Sequence, residues 1–389
     1  MTTSKPSKSA KSSNTPKPFA PTPFKPPFWL TNPHLQSILP KFFAPEVPNY
    51  RRALKQDSLC ETDIAYDFYD AHPIEATDDG TLEQTPLVVL FHGMEGSSDS
   101  HYARALAYQM HRDGWHFVVA HFRSCGGIPA NGRVFYNAGD TEEVHHMLQN
   151  LREQYAHIYA VGVSLGGNAL AKYMGEYGDE ALCEGAVVIS APVDMSSAAL
   201  SMHSFLSHRI YTPYLLNPII KKALSNDISE EEIASIKSVN RISDFDNIFT
   251  APRHGYRSKN DYYHSSSALP YLINVTHPLL LISAKDDPFI GFTATQGDVS
   301  DSVTILDTDH GGHIGYLRYR SASKQADTVK SSSKQSKKNG KKTKTSKFDI
   351  NWIPETVSAF FHSIGIPSND ISLDNVSPGN ASPNNASNE

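Results

Sequence analysis

Six short apolar runs punctuate the chain: LVVLFH (87–92), HFVVAHF (116–122), IYAVGV (158–163), AVVISA (186–191), PLLLISA (278–284) and SVTILDT (302–308). Each is too short for a helix and rich in Val and Ile. A strand covered on both faces of a parallel sheet reads this way, because neither face needs polar residues. Stretches near 101–113, 140–154, 167–177 and 353–363 carry helical spacing instead. The alternation predicts an α/β fold class, a mostly parallel central sheet with helices on both faces. Residues 194–270 break it. They are rich in Ser, His and Tyr, with a helical stretch at 228–238 that opens on an acidic first turn. They predict a helical cap inserted after the fifth or sixth strand.

The flanks read differently. Residues 1–26 are rich in Ser, Thr, Pro and Lys, and 366–389 in Asn, Ser and Pro. Neither can bury enough apolar surface to offset ordering entropy, so both are expected to be disordered tails around a domain at 27–365. The first tail lacks the apolar core of an export signal, which makes a cytoplasmic location the expectation. The whole chain has 389 residues, 39% of them hydrophobic, and no run approaches the ~18 apolar residues of a membrane span. Three scattered cysteines (Cys60, Cys125, Cys183) argue against a disulfide framework or a Cys-ligated zinc site.

Charge is unevenly placed. Residues 318–347 carry +10, which leaves −16 to the rest of a chain whose net charge is −6. An acidic body repels phosphate backbones, so no nucleic-acid partner is expected. The low-complexity Lys/Ser stretch 320–347 reads as a solvated loop. Its alternative use is a peripheral contact with anionic membrane.

The sharpest chemical feature is Gly162-Val163-Ser164-Leu165-Gly166. A serine held on a tight strand–helix turn needs small neighbours, because its backbone is strained and closely packed. By composition alone the pattern arises about once in eight chains of this length. The apolar strand before it and the helix after it sharpen the signal. A serine hydroxyl needs a base, and the base an orienting acid, expected in that chain order at later strand ends. Strand 278–284 ends in Lys285-Asp286-Asp287-Pro288, and strand 302–308 in Asp309-His310-Gly311-Gly312-His313. Asp287 precedes the proline, while Asp286 is the alternative acid or a loop cap. The glycine pair lets His313 swing over the strand tips; His310 sits nearer the strand. His310 and His313 as a metal pair lack an evident third ligand. For the oxyanion of acyl transfer, two backbone donors are expected: Leu165, next after the serine, and Met94, in the His92-Gly93-Met94-Glu95-Gly96 loop.

With these residues stands a wider set: Asn32-Pro33-His34-Leu35-Gln36-Ser37-Ile38-Leu39-Pro40, Arg123-Ser124-Cys125-Gly126-Gly127, Thr250-Ala251-Pro252 and Asp261-Tyr262-Tyr263. Together they make the chain resemble the α/β-hydrolase superfamily, and within it the YheT-like branch, a bacterial esterase group related to α/β-hydrolase-domain lipases. The resemblance covers roughly 27–318 and 348–365. It implies a serine esterase without metal or organic cofactor, with Ser164 as nucleophile, Asp287 as acid and His313 as base. The expected partner is a small-molecule acyl ester of short to medium chain, or an acylglycerol. The chain departs from the family in the 320–347 insertion, in its extended tails, and in Arg-Ser-Cys-Gly-Gly where the family has Arg-Gly-Cys-Ser-Gly. Transfer of the acyl group to another acceptor is the first alternative, although the H-x-x-x-x-D motif of some acyltransferase relatives is missing. A non-enzymatic scaffold is the second. Phe205, Tyr211, Tyr214, Leu215 and Leu216 are expected either to line an acyl pocket or to form the core of the cap.

Overall fold

A computed structural model describes residues 18–74, 81–129, 135–226, 228–320 and 346–365. The Lys-rich stretch 320–347 lies almost wholly outside the described residues, as does the tail at 366–389.

The six expected strands form, as β3 (Leu87–Phe91), β4 (His116–Ala120), β5 (Ile158–Val163), β6 (Ala186–Ile189), β7 (Leu279–Ala284) and β8 (Val303–Thr308). All six pair in parallel. Two further strands, β1 (Arg51–Gln56) and β2 (Asp63–Tyr69), join antiparallel at one side, giving the order β1-β2-β4-β3-β5-β6-β7-β8. These two lack the apolar signature of the others. β1 is an edge strand with mostly exposed side chains, and β2 buries Asp67, whose carboxylate takes Arg52 in a two-pronged ion pair and a hydrogen bond from Ser98.

The chain also carries α1 (Pro33–Ile38), α2 (His101–Arg112), α3 (Thr141–Arg152) and α4 (Leu165–Tyr177). The stretch between β6 and β7 is helical throughout: α5 (Met195–Ser201), α6 (Phe205–Ala223), α7 (Glu230–Ser238), α8 (Ile242–Phe245), a π turn, α9 (Ala251–Arg253) and α10 (Lys259–Ser266). A last helix, α11 (Trp352–Ser363), follows a two-stranded ribbon of β9 (Arg318–Tyr319) and β10 (Phe348–Asp349). Helix α7 starts where Ser229 and Glu232 close a reciprocal capping box. Alternate residues of β3 serve two cores. Leu87, Val89 and Phe91 meet α3 and α4, while Val88 and Leu90 meet α2 and α11. A smaller cluster, with Leu216, Ile219, Phe245 and Phe249, holds the inter-strand helices together.

Residues 18–26 fall within the stretch expected as a tail, and although most are exposed, two of their side chains, Phe19 and Phe24, dock on the domain. Phe19 sits edge-on to Phe360, Phe24 meets Tyr316 and Trp352 edge-on as well, and the Trp352 indole donates to the Thr22 carbonyl at 2.7 Å. Aromatics spaced between prolines carry that contact without any secondary structure to announce it.

Beneath the sheet's carboxyl edge lies a buried charge cluster. Arg123 donates to Asp57 at 2.6 Å, to Ser58 at 2.6 Å, and to Asp140 and Glu143. The next residue, Ser124, sits at φ 61°, a left-handed backbone that favours glycine. It is the position where the family pattern has glycine. Replacing Arg123 by Met is expected to strand the buried carboxylates of Asp57 and Glu143 and the half-buried one of Asp140 and cost about 3–5 kcal/mol, read as a lower urea midpoint. Ser124→Gly is expected to move the midpoint the other way, by up to about 1 kcal/mol.

Candidate active site

The parallel strands all point their carboxyl ends toward one rim, where the loops after β3, β5, β7 and β8 converge. At the end of β5 the chain must reverse into α4 within one residue. Ser164 takes that turn at φ 53° and ψ −120°, a conformation costly for a residue with a side chain. Its amide donates to the Ile189 carbonyl at 2.9 Å, and its carbonyl accepts from Asn168 at 3.0 Å. Helix α4 crosses so close to β3 that a Cβ on Gly166 would collide with the His92 carbonyl oxygen. Gly93 approaches in the same way: a Cβ there would stand 3.1 Å from that of Ser164.

Three of the residues expected from the sequence come together here. His313 Nε2 lies 3.0 Å from Ser164 Oγ. On its other side His313 Nδ1 lies 2.9 and 3.1 Å from the two Asp287 carboxylate oxygens. A carboxylate only accepts, so Nδ1 carries the proton and Nε2 turns its lone pair to the serine hydroxyl. The Asp287 side chain is 1% exposed and also accepts from the Phe289 amide at 2.8 Å. The Phe289 ring stacks on His313 at 4.2 Å between centroids, fixing the imidazole plane.

Asp286 and His310 form a separate pair. Asp286 accepts from the Gly312 amide at 2.9 Å and faces His310 Nδ1 at 3.2 Å. It holds the loop that carries His313, while the His310 ring is 40% exposed. Met94 and Leu165 both line the cavity over Ser164, and neither backbone amide has a hydrogen-bond partner among the described residues.

Several contributors carry no catalytic signature in the sequence. Ser37 accepts from the His313 amide at 2.8 Å. Buried Gln36 donates to the Leu30 and Leu317 carbonyls and accepts from the Leu317 amide, so the Asn32–Ser37 motif straps the histidine loop from below. Asn168 donates to the Ala138 and Ser266 carbonyls and accepts from Ala268, locking α4 to the loop before α3 and the end of α10. His92 is wholly buried, and desolvation pushes its pKa down to about 3; it stays neutral, donating to the Gly93 carbonyl and accepting from Phe122. Glu95, at φ 55°, accepts from Tyr136 and Lys222, which ties the Met94 loop to α6.

Ser164 and His313 open on a cavity of about 730 Å³. Of the five cap residues expected at a pocket, Tyr211, Tyr214 and Leu215 line it; Leu216 belongs to the helices' own core, and Phe205 is exposed. Met195, Met202, Ile219, Phe245 and Ile290 complete a largely apolar wall. Asp246 is the buried exception. Desolvation raises its pKa to about 6, although Tyr263 and Thr250 donate to it at 2.8 and 2.9 Å. That bond and the Tyr262 hydroxyl, which accepts from the Ala138 amide at 3.0 Å, give roles to Thr250 and to the Asp261-Tyr262-Tyr263 motif. Among the described residues, the one cluster with metal-ligating groups in reach of each other is His72, Glu83 and His116, apart from this cavity.

A family model described as the alpha/beta hydrolase fold matches residues 86–317. The chain is 35% identical over 301 residues to the Escherichia coli protein named "Putative esterase YheT", covering 74% of this chain and 85% of that one. It is 27% identical to the monoacylglycerol lipase of Saccharomyces cerevisiae, over 61% of this chain and 56% of the lipase. It is 28% identical to the same yeast's medium-chain fatty acid ethyl ester synthase/esterase 2, over 60% and 58% respectively. Gly166→Ala should force α4 off β3 and lower the urea unfolding midpoint by the equivalent of about 1–3 kcal/mol.

Proposed function

The chain belongs to the α/β-hydrolase fold family, in the branch of YheT, and from that premise we propose that it is a serine esterase whose Ser164, His313 and Asp287 cleave carboxylic esters through an acyl-enzyme. The carrying observation is the line of contacts from Ser164 Oγ to His313 Nε2, and from His313 Nδ1 to Asp287, at the floor of an apolar cavity.

The reaction follows from the proton positions. Ser164 Oγ attacks the ester carbonyl while its proton passes to His313 Nε2. Asp287 stays ionised and steadies the imidazolium. The negative oxygen of the tetrahedral intermediate is held by the Leu165 and Met94 amides. As that intermediate collapses, the C–O bond to the alcohol breaks and His313 returns the proton to the leaving oxygen. Water then gives a proton to His313 and attacks the acyl-enzyme. The carboxylic acid departs, and Ser164 regains its hydrogen.

The cavity wall favours an acyl chain of short to medium length, or an acylglycerol, over a polar substrate. The name of the yeast relative, a synthase/esterase for medium-chain fatty acid ethyl esters, keeps one second reading alive. An alcohol in place of water at the deacylation step makes the same site an acyltransferase. Product analysis with ethanol or glycerol present separates the two.

Ser164→Ala is expected to abolish hydrolysis of p-nitrophenyl butyrate and labelling by a fluorophosphonate while the circular dichroism spectrum is retained. Asp287→Asn should lower kcat by about 10⁴-fold, because the imidazole then takes the wrong tautomer. Asp286→Asn acts only on the loop and should cost about tenfold or less, the scale of one lost hydrogen bond. Equal losses in the two aspartate variants would refute the assignment of Asp287.

A further inference from the structure

Two segments of this acidic chain contain no acid at all. Residues 18–45 and 195–226 hold neither Asp nor Glu, while they carry Lys25, Lys41, Arg209, Lys221 and Lys222. Lys25, Lys41, Arg209 and Lys221 are exposed. The same segments concentrate apolar surface. Nine of the seventeen exposed large hydrophobic side chains among the described residues fall within 28–42 and 200–214. Phe28, Phe42 and Phe205 are 87%, 78% and 75% exposed, and Trp29, Leu206 and Tyr214 stand out beside them. Single exposed apolar residues need no explanation, but a concentration of this size marks an interaction site.

The two segments meet. His34 Nδ1 lies 3.0 Å from the Tyr211 hydroxyl, and the Lys41 ammonium sits 3.8 Å over the Tyr214 ring. They meet at the cavity, since Ser37, Ile38 and Lys41 from one and Ile210, Tyr211 and Tyr214 from the other line it. Helix α6 is two-sided. Tyr211, Leu216, Ile219 and Ala223 are buried, whereas Leu206, Ile210 and Tyr214, four residues apart, form an exposed apolar stripe flanked by Arg209 and His208.

We infer that this face, 28–42 together with the stripe of α6, docks on the surface of an anionic lipid bilayer and turns the cavity mouth toward it. Aromatics and cations share these two acid-free segments of a chain of net negative charge, with Asp99 the one exposed carboxylate lining the cavity beside them, and the combination matches the boundary between acyl chains and anionic headgroups. A protein partner of ordinary surface has no need of that charge clearance. The inference deepens the ester-hydrolase reading: on that reading the mouth receives acyl lipids from the membrane instead of from water.

The test uses the full chain and vesicles of phosphatidylcholine with and without phosphatidylglycerol. The chain is expected to float with the anionic vesicles and to bind neutral ones more weakly. Phe42→Glu with Phe205→Glu should weaken that binding by about tenfold or more, since two exposed rings that would enter the bilayer are replaced by charges the anionic surface repels. Neither residue lines the cavity, so turnover of soluble p-nitrophenyl butyrate should stay within about twofold while turnover of vesicle-borne acylglycerol falls with binding. A chain lacking 321–345 separates the basic run from this face and should still float. Unchanged flotation of the double variant, flotation lost by that deletion alone, or a dimer in sedimentation that the double variant dissociates would each overturn the inference. Ser164→Ala keeps the two readings apart. If it floats like the unaltered chain and neither hydrolyses any ester, the function fails and the docking stands.

Discussion

A serine in a left-handed turn is the constraint around which the rest of the molecule is arranged. A backbone at φ 53° and ψ −120° costs of order 1–3 kcal/mol and persists only where its surroundings permit nothing else. Here they leave little freedom. β5 lies between β3 and β6 in a parallel sheet, and α4 must start at once to cover it. Gly166 admits the helix at a distance no side chain would allow, and Gly93 lets the neighbouring loop come tightly against Ser164. Asn168 then nails the first turn of α4 to two other loops with three hydrogen bonds. The strain holds Ser164 Oγ proud of the sheet, where a base can reach it.

His313 is positioned by a different kind of support. His313 sits on a loop, and loops are placed by what they touch. Four independent contacts fix this one: Asp286 on the Gly312 amide, Ser37 on the His313 amide, Asp287 on the imidazole and Phe289 on its face. Ser37 comes from 276 residues upstream, so the N-terminal segment completes the site although it supplies no reacting atom. The adjacent aspartates divide the labour. Asp286 holds the Gly312 amide and faces the His310 ring, while Asp287 holds the Phe289 amide and faces the His313 ring.

The six parallel strands were legible because β3 to β7 are buried on both faces and spell themselves in Val, Leu and Ile, and the outer strand β8, though half-exposed, still carries Val303, Ile305 and Leu306. β1 and β2 were not, since an edge strand and one paired to it through Arg52–Asp67 have no such composition. Ser164 was legible from glycine spacing, a steric requirement that acts locally. The choice between Asp286 and Asp287, or His310 and His313, was not settled by spacing, because both members of each pair are within reach of the same strand tips. Only the direction of the side chains separates them. Gln36, Asn168 and Lys222 lay deeper still. Their roles depend on partners 281, 98 to 100 and 127 residues away, and nothing in a buried amide or a helix lysine announces such a partner.

The departure from the family at Arg123-Ser124-Cys125-Gly126-Gly127 shows how the two kinds of support are separated. Arg123 holds Asp57, Asp140 and Glu143 under the sheet's rim, and Ser124 accepts φ 61° beside it. Cys125 faces Lys222, which in turn holds Glu95 and with it the loop bearing Met94. Burial drives the Cys125 thiol up to about 12, so it packs as an uncharged group. A change in this motif is therefore felt first as stability. It is tied to the cavity through the Lys222–Glu95 pair, which joins α6 to the loop bearing Met94. Ser164, Asp287 and His313 stand on turns and loops at the sheet's carboxyl rim, whereas the cavity's shape belongs largely to the helices between β6 and β7. Such a division lets these helices change the cavity wall without disturbing the contacts among Ser164, His313 and Asp287 below it.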